Sequence, residues 1–369
     1  MDFGIEKGKI AVLIGTRPEG MKLCPLVLEM RRLQIAHAVI STGQHSDMLR
    51  NVLSAFHIEP DLSLSPMRFG ENLPAMLSHL IASLGSLFRE TSPPLVIVQG
   101  DTATVYAGAL AAFLQKIPVL HVEAGLRSGD IFSPFPEESF RRSIAAMASV
   151  HIAPTPQAMY HLWQEGVAKE RVFLFGNTVQ DALFRFLPQE IEQGNTLLLT
   201  VHRREHSENE LRGIFSAVRN LMEESAGYSL AYPVHPSPRV RKIAEEMLSA
   251  VPRISLLPPL PPQEFYRYLA ASPLVLTDSG GIQEEAAILG IKTLVLREKT
   301  EREQELSEGR ICLSGTDPDR IFRMAKELLS EPKKKHSVRQ FSSPSAKICK
   351  LLLAFKEFDF DMQRLFREF

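Results

Sequence analysis

Charged side chains recur in this sequence just past short apolar runs, a spacing that suits proton transfer beside an anionic ligand. Arg17 and Lys22 follow the run Ile10 to Ile14 and the turn Gly15-Thr16. Asp101 follows Leu95 to Gln99 and Gly100, and Glu123 follows Pro118 to Val122. A fully apolar run of this length reads as a strand buried on both faces of a parallel sheet. Residues just beyond such strands stand at the sheet edge where α/β folds bind ligands. Convergence of Arg17, Asp101 and Glu123 there favours a site, although a structural ion network has the same composition. Glu137 follows the Pro-rich stretch Ser133 to Pro136, which would fix it on a rigid loop. It also reads as a plain acidic residue at a helix start.

The second half repeats the pattern with groups suited to phosphate. Leu274 to Thr277 reads as a buried strand, followed by Asp278-Ser279-Gly280-Gly281 and a helix. The bare N–H groups at such a helix start attract an anion, and glycine lets it approach. Asp278 or Ser279 can cap this helix, and the Ser279 hydroxyl can also reach a phosphate oxygen. Glu284 and Glu285 are expected in the first helical turn, where the dipole favours acids. Glu285 is long enough to accept from a ribose diol. The same window also fits a well-capped helix with no ligand. Thr196 to Val201 reads as a strand feeding His202-Arg203-Arg204-Glu205-His206. That pattern matches H-x-x-E-H, but its first histidine ends a strand, so a zinc site is rejected in favour of a cationic cluster facing an anion. Phe265 can pack on a base or simply fill the core. The charge run Arg297 to Arg302 again follows a strand, Thr293 to Leu296.

These groups need strands and helices to hold them, and the totals allow that. The chain has 369 residues, 44% hydrophobic and 23% charged, enough for about two ordinary globular domains. A net charge of -1 gives no global field for nucleic acid or an anionic membrane. Cys24, Cys312 and Cys349 are odd in number and far apart, so reduced thiols and a cytoplasmic setting are expected. No apolar stretch reaches a spanning length or a signal-peptide core. Strands alternate with helices in both halves, and the Pro188 to Gly194 stretch reads as a linker. The expected domains are therefore residues 1–189, Rossmann-like with the carboxylates, and 190–345, Rossmann-like and nucleotide-binding. Residues 346–369 would form a helix packing back on the first domain, with Ile348, Leu351, Leu352, Phe355, Phe358 and Leu365 at helical spacing.

Six motifs in order resemble the non-hydrolysing UDP-N-acetylglucosamine 2-epimerases. They are Gly15-Thr16-Arg17-Pro18-Glu19, Gly100-Asp101-Thr102, His121 to Arg127, Pro136-Glu137-Glu138, Val201 to Glu205 and Thr277 to Glu285. The resemblance implies an α/β fold of two Rossmann-like domains facing across a cleft, the glycosyltransferase-B type. It implies interconversion of UDP-N-acetylglucosamine and UDP-N-acetylmannosamine through 2-acetamidoglucal, with no cofactor and no metal. By the same resemblance Asp101, Glu123 and Glu137 are the acid/base carboxylates, and Arg17, Lys22 and His202 join them at the departing diphosphate. Ser279, Gly280, Gly281 and Arg302 would bind substrate, Glu285 the ribose, and Phe265 would lie by the uracil. Gln44, His45 and Arg203 fall in the region where bacterial members bind a second UDP-N-acetylglucosamine as activator. Homodimers are usual in the family, with neither nucleic acid nor membrane as partner.

Three departures stand out. His206 replaces a common asparagine, Glu301-Arg302-Glu303-Gln304 replaces Glu-Arg-Pro-Glu, and Gly70-Glu71-Asn72-Leu73 replaces Gly-Gln-Thr-Leu. They leave the catalytic set intact and bear on the activator site. They also admit a related UDP-hexosamine as substrate. The competing readings are a hydrolysing epimerase, which releases free sugar, a glycosyltransferase, which needs an acceptor, and a UDP-sugar-binding regulator without turnover.

Overall fold

Five consecutive apolar residues, all buried, form strand β1 (Ile10–Ile14). Such a strand belongs between two helical layers. The computed structural model describes residues 3–43, 46–64, 72–188, 190–201, 206–235, 237–298, 311–331, 336–337 and 342–360. Among these, β1 is joined by β2 (His37–Ser41), β3 (Leu62–Ser63), β4 (Val96–Gln99), β5 (Val119–Val122), β6 (Val150–Ala153) and β7 (Val172–Leu174). They form a parallel sheet in the order β3-β2-β1-β4-β5-β6-β7. The chain winds outward in both directions from the β1/β4 pair. Their carboxyl ends are the topological switch point, where open α/β sheets bind ligands.

Helices α1 (Arg17–Arg32), α2 (Ser46–Ala55), α3 (Leu73–Thr91), α4 (Ala103–Phe113), α5 (Glu137–Met147), α6 (Pro156–Gln164) and α7 (Val179–Phe186) connect and cover this sheet. Pro18 sits in the first turn of α1, where its missing N–H costs nothing. The Ala- and Gly-rich α4 packs against both α3 and α5 as well as the sheet. Its small side chains permit that: a Cβ on Gly108 would lie 2.3 Å from Leu13 Cδ1.

The second sheet repeats the plan. Ahead of it stands a short strand, β8 (Glu190–Ile191). Then come β9 (Thr196–Thr200), β10 (Ser229–Pro233), β11 (Ile254–Leu257), β12 (Val275–Thr277), β13 (Thr293–Val295) and β14 (Ile311–Leu313). The order β11-β10-β9-β12-β13-β14 is parallel throughout, with its switch point between β9 and β12. Among the described residues the helices of this half are α8 (Glu208–Glu224), α9 (Pro238–Leu248), α10 (Pro262–Ala271), α11 (Gly280–Leu289) and α12 (Pro318–Ser330). A capping box between Ser207 and Glu210 starts α8. The stretch read as a linker contains β8, which pairs antiparallel with β15 (His336–Ser337).

The chain to Ala182 and the C-terminal helix α13 (Pro344–Glu357) form one compact unit, and the part beginning at Leu183 forms a second. Helix α13 packs on α1, with Ile348, Cys349, Leu352 and Phe355 buried. The Ser345 N–H donates to Asp181 Oδ2 at 2.8 Å. Among the described residues no helix is long and apolar enough to cross a membrane.

Candidate functional site

In the first unit the site grows from the ends of β1, β4 and β5. The chain leaves β1 through Gly15, whose Cα approaches two threonine hydroxyls. A Cβ there would lie 2.1 Å from Thr104 Oγ1 and 2.5 Å from Thr42 Oγ1. Arg17 then opens α1, half-buried. Glu19 folds back into the protein, 1% exposed. Its Oε2 accepts from the Gly15 N–H at 2.7 Å, and its Oε1 accepts from the Thr16 and Thr102 hydroxyls, each at 2.8 Å. Burial outweighs these donors and pushes its carboxyl up to about 7, with Asp101 adding to the rise.

One turn along α1, the buried Lys22 places Nζ 2.5 Å from Glu123 Oε2. Gln99, the last residue of β4, donates its Nε2 to the same oxygen. Glu123 sits just past β5 with φ at +65°. A left-handed backbone costs a non-glycine residue about 1–3 kcal/mol, and such strain persists where surrounding contacts enforce it. Two residues on, Gly125 has φ of +92°, and a Cβ there would meet the Ala158 carbonyl oxygen at 2.1 Å. Only glycine fits that turn.

Asp101 follows β4 and pairs with Arg141 of α5, Oδ2 to Nη2, at 2.6 Å. Arg141 is buried, and its other nitrogen lies 3.0 Å from Glu138 Oε2. Glu138 is fully buried and also receives Arg142 Nε at 3.1 Å and the Ser128 N–H at 3.0 Å. Its neighbour Glu137, in the first turn of α5, is half-buried. Beneath Asp101, His121 donates from Nε2 to the Gly100 carbonyl at 2.7 Å. Burial lowers its pKa to about 4 and that of its strand partner His151 to about 3, so both are neutral.

In the second unit β9 and β12 end together. Thr200 donates to Thr277 Oγ1 at 2.6 Å, and Thr277 Oγ1 accepts from the Ser279 N–H at 3.0 Å. Asp278 is fully buried, its Oδ2 3.2 Å from Nε2 of the buried His206. Ser279 is the N-cap of α11 but makes no side-chain capping bond, which leaves the helix's first N–H groups for another acceptor. The Cβ position of Gly281 has nothing within 4 Å. Glu284 and Glu285 do not lie in the first turn as expected, because Gly280 and Gly281 belong to the helix rather than to the turn before it. Glu285 accepts from the Tyr266 hydroxyl at 3.0 Å. Phe265, beside Tyr266 on α10, is 5% exposed and meets it edge-on.

A model of the family described as UDP-N-acetylglucosamine 2-epimerase matches residues 28–351. The chain belongs to that family. It is 40% identical over 349 residues to UDP-N-acetylglucosamine 2-epimerase of Bacillus subtilis, covering 92% of each chain. The crystal structure of the Neisseria meningitidis UDP-GlcNAc 2-epimerase bound to UDP-GlcNAc superposes with a TM-score of 0.84 at 33% identity, over 94% of this chain and 99% of that one. The Methanocaldococcus jannaschii enzyme in complex with UDP-GlcNAc and UDP gives 0.82 at 28%, again over 94% and 99%.

For this UDP-N-acetylglucosamine 2-epimerase family member, the expected residues fall at two sheet edges. Arg17, Lys22, Asp101 and Glu123 stand at the edge of the first sheet, with Lys22 and Glu123 in contact and Asp101 held by Arg141. Glu137 stands at the start of α5, next in sequence to Glu138. Ser279, Gly280, Gly281, Glu285 and Phe265 stand on α11 and α10 of the second unit. His202, Arg203, Arg302, Gln44 and His45 lie outside the described residues. Glu19, Gln99, Thr102, Glu138 and Arg141 were not anticipated as parts of the site. For Glu19 a signal existed: an acid at the third position of a helix whose N-cap is a threonine can turn back toward that cap.

Proposed function

We propose that this chain is a non-hydrolysing UDP-N-acetylglucosamine 2-epimerase, an isomerase that interconverts UDP-N-acetylglucosamine and UDP-N-acetylmannosamine. The C2–H and C1–O bonds break, the C2 electron pair forms the C1=C2 bond of 2-acetamidoglucal, and UDP departs with the C1–O pair. UDP then returns to C1 while C2 takes a proton on its other face. A hydrogen on such a carbon is weakly acidic, so its removal needs a held base and a stabilised leaving group.

The observation that carries this reading is the buried carboxylate of Glu123, fixed by Lys22 and Gln99 at the edge where Asp101 also emerges. Asp101, Glu123 and Glu137 supply acid/base groups for the two faces of C2. Arg17, Lys22 and His202 meet the diphosphate charge together with Arg302 and the amides at Ser279, Gly280 and Gly281. Glu285 accepts from the ribose, and Phe265 backs the uracil. The relatives bound to UDP-GlcNAc and UDP support a UDP-sugar as the ligand. We take the working form to be a cytoplasmic homodimer.

The test is incubation of the pure chain with UDP-N-acetylglucosamine in heavy water, read by proton NMR. Both epimers should carry deuterium at C2, with no free N-acetylmannosamine. A C2 that stays protonated, or accumulation of free sugar, would overturn the assignment.

A further inference from the structure

We propose that Glu19 is a positioning residue that fastens the loop carrying Arg17 to the loop carrying Asp101, so that proton transfer at C2 depends on its carboxylate. This rests on the epimerase reading above.

The two loops leave β1 and β4 at the switch point. The β1/β4 ladder pairs Ala11 with Val96 and Val12 with Ile97, and the loops diverge above it. Across that divergence Glu19 Oε1 accepts from Thr16 on one side and Thr102 on the other, each at 2.8 Å, while Oε2 takes the Gly15 N–H at 2.7 Å. Thr102 is the residue after Asp101 and the N-cap of α4. Thr16 is the residue before Arg17 and the N-cap of α1. One carboxylate therefore sets the distance between two helix starts and the charged residues beside them. At 1% exposure it has no surface to offer a substrate, so it acts through its neighbours.

The fold alone does not call for an acid here. Burying a carboxylate is costly, and an apolar or amide side chain of similar size fills such a space with less penalty. The rise of its pKa to about 7 reflects that cost. A planar group with two acceptor oxygens is, however, what three converging donors require. Glutamine keeps one acceptor for the two hydroxyls and turns an N–H toward that of Gly15.

The experiment compares the full chain with its Glu19→Gln, Thr102→Val and Thr102→Ser variants. Deuterium entry at C2 gives kcat and KM, calorimetry gives UDP affinity, and Trp163 fluorescence in urea gives the folded fraction. Displacement of reacting groups by about 1 Å costs on the order of 100-fold, so Glu19→Gln should lose about 10- to 100-fold in kcat while UDP affinity stays within about threefold. Thr102→Val should lose at least about fivefold, and Thr102→Ser, which keeps the hydroxyl, should recover most of it. Full-rate exchange by Glu19→Gln or by Thr102→Val overturns the proposal, as does a loss of kcat accounted for by the unfolded fraction. If Glu19→Gln does not fold, the Thr102 pair decides by the same criteria. A wild-type chain that leaves C2 protonated overturns the epimerase reading and this one with it. Exchange by wild type and Glu19→Gln at equal rates overturns the role of Glu19 alone.

Discussion

Replacing Lys22 by methionine removes a buried positive charge from beside Glu123 and keeps the length of the side chain. Nζ and Oε2 lie 2.5 Å apart, with the two side chains 7% and 5% exposed. At that separation an effective dielectric of about 20 gives a gross attraction of about 7 kcal/mol. Much of this offsets the desolvation of both ions, and the desolvation of Glu123 remains once the lysine is gone. Breaking a buried pair from one side costs about 3–5 kcal/mol. Gln99 still donates to Glu123, so the lower half of that range is expected. Adding Glu123→Gln takes away the remaining charge, and the double variant should regain about 2 kcal/mol over Lys22→Met alone. The single tryptophan, Trp163, lies on α6 in the same unit. Urea unfolding followed by its fluorescence therefore reports on this unit, and fits must allow the two units to unfold separately. A Lys22→Met loss below about 1 kcal/mol, or a double variant whose loss equals the sum of the singles, would refute the coupling.

Three further outcomes follow from buried groups. His151 is fully buried and its pKa is lowered from 6.5 to about 3; a base depressed in this way gives stability above pH 6.5 that is lost as the pH falls toward its folded value. Urea titrations of wild type and His151→Leu should therefore diverge by about 1.4 kcal/mol per pH unit of acidification below 6.5, and parallel curves would show that His151 is not held neutral. Glu19 runs the other way, since its rise from 4.5 to about 7 gives stability below pH 4.5 that is lost as the pH climbs to its folded value. Tyr266→Phe removes the 3.0 Å bond to Glu285 and should weaken UDP binding by about 0.5–1.5 kcal/mol, roughly two- to twelvefold in Kd, on calorimetry. Unchanged affinity would separate Glu285 from the ribose.

Local pattern in the chain was enough to place the strands that matter most. Ile10–Ile14 has the bounds its apolar run suggests. Ile348, Leu352 and Phe355 are buried, as their helical spacing implies, whereas Leu351 and Phe358 are half-buried, the helix ends at Glu357, and Leu365 lies outside the described residues. Burial acts on each residue through its own transfer cost, so it leaves a readable period of apolar side chains. The emergence of Asp101 and Glu123 just past β4 and β5 was legible for the same reason. Tertiary structure alone decided which charges meet. Lys22 and Glu123 are 101 positions apart, and Asp101 finds Arg141 on α5. It also decided that Thr102 reaches back to Glu19, that β8 pairs with β15, and that Phe265 is buried. A hydrogen bond or ion pair leaves no period in sequence. It depends on which strands become neighbours, and the order β3-β2-β1-β4 is set by the packing of the whole sheet.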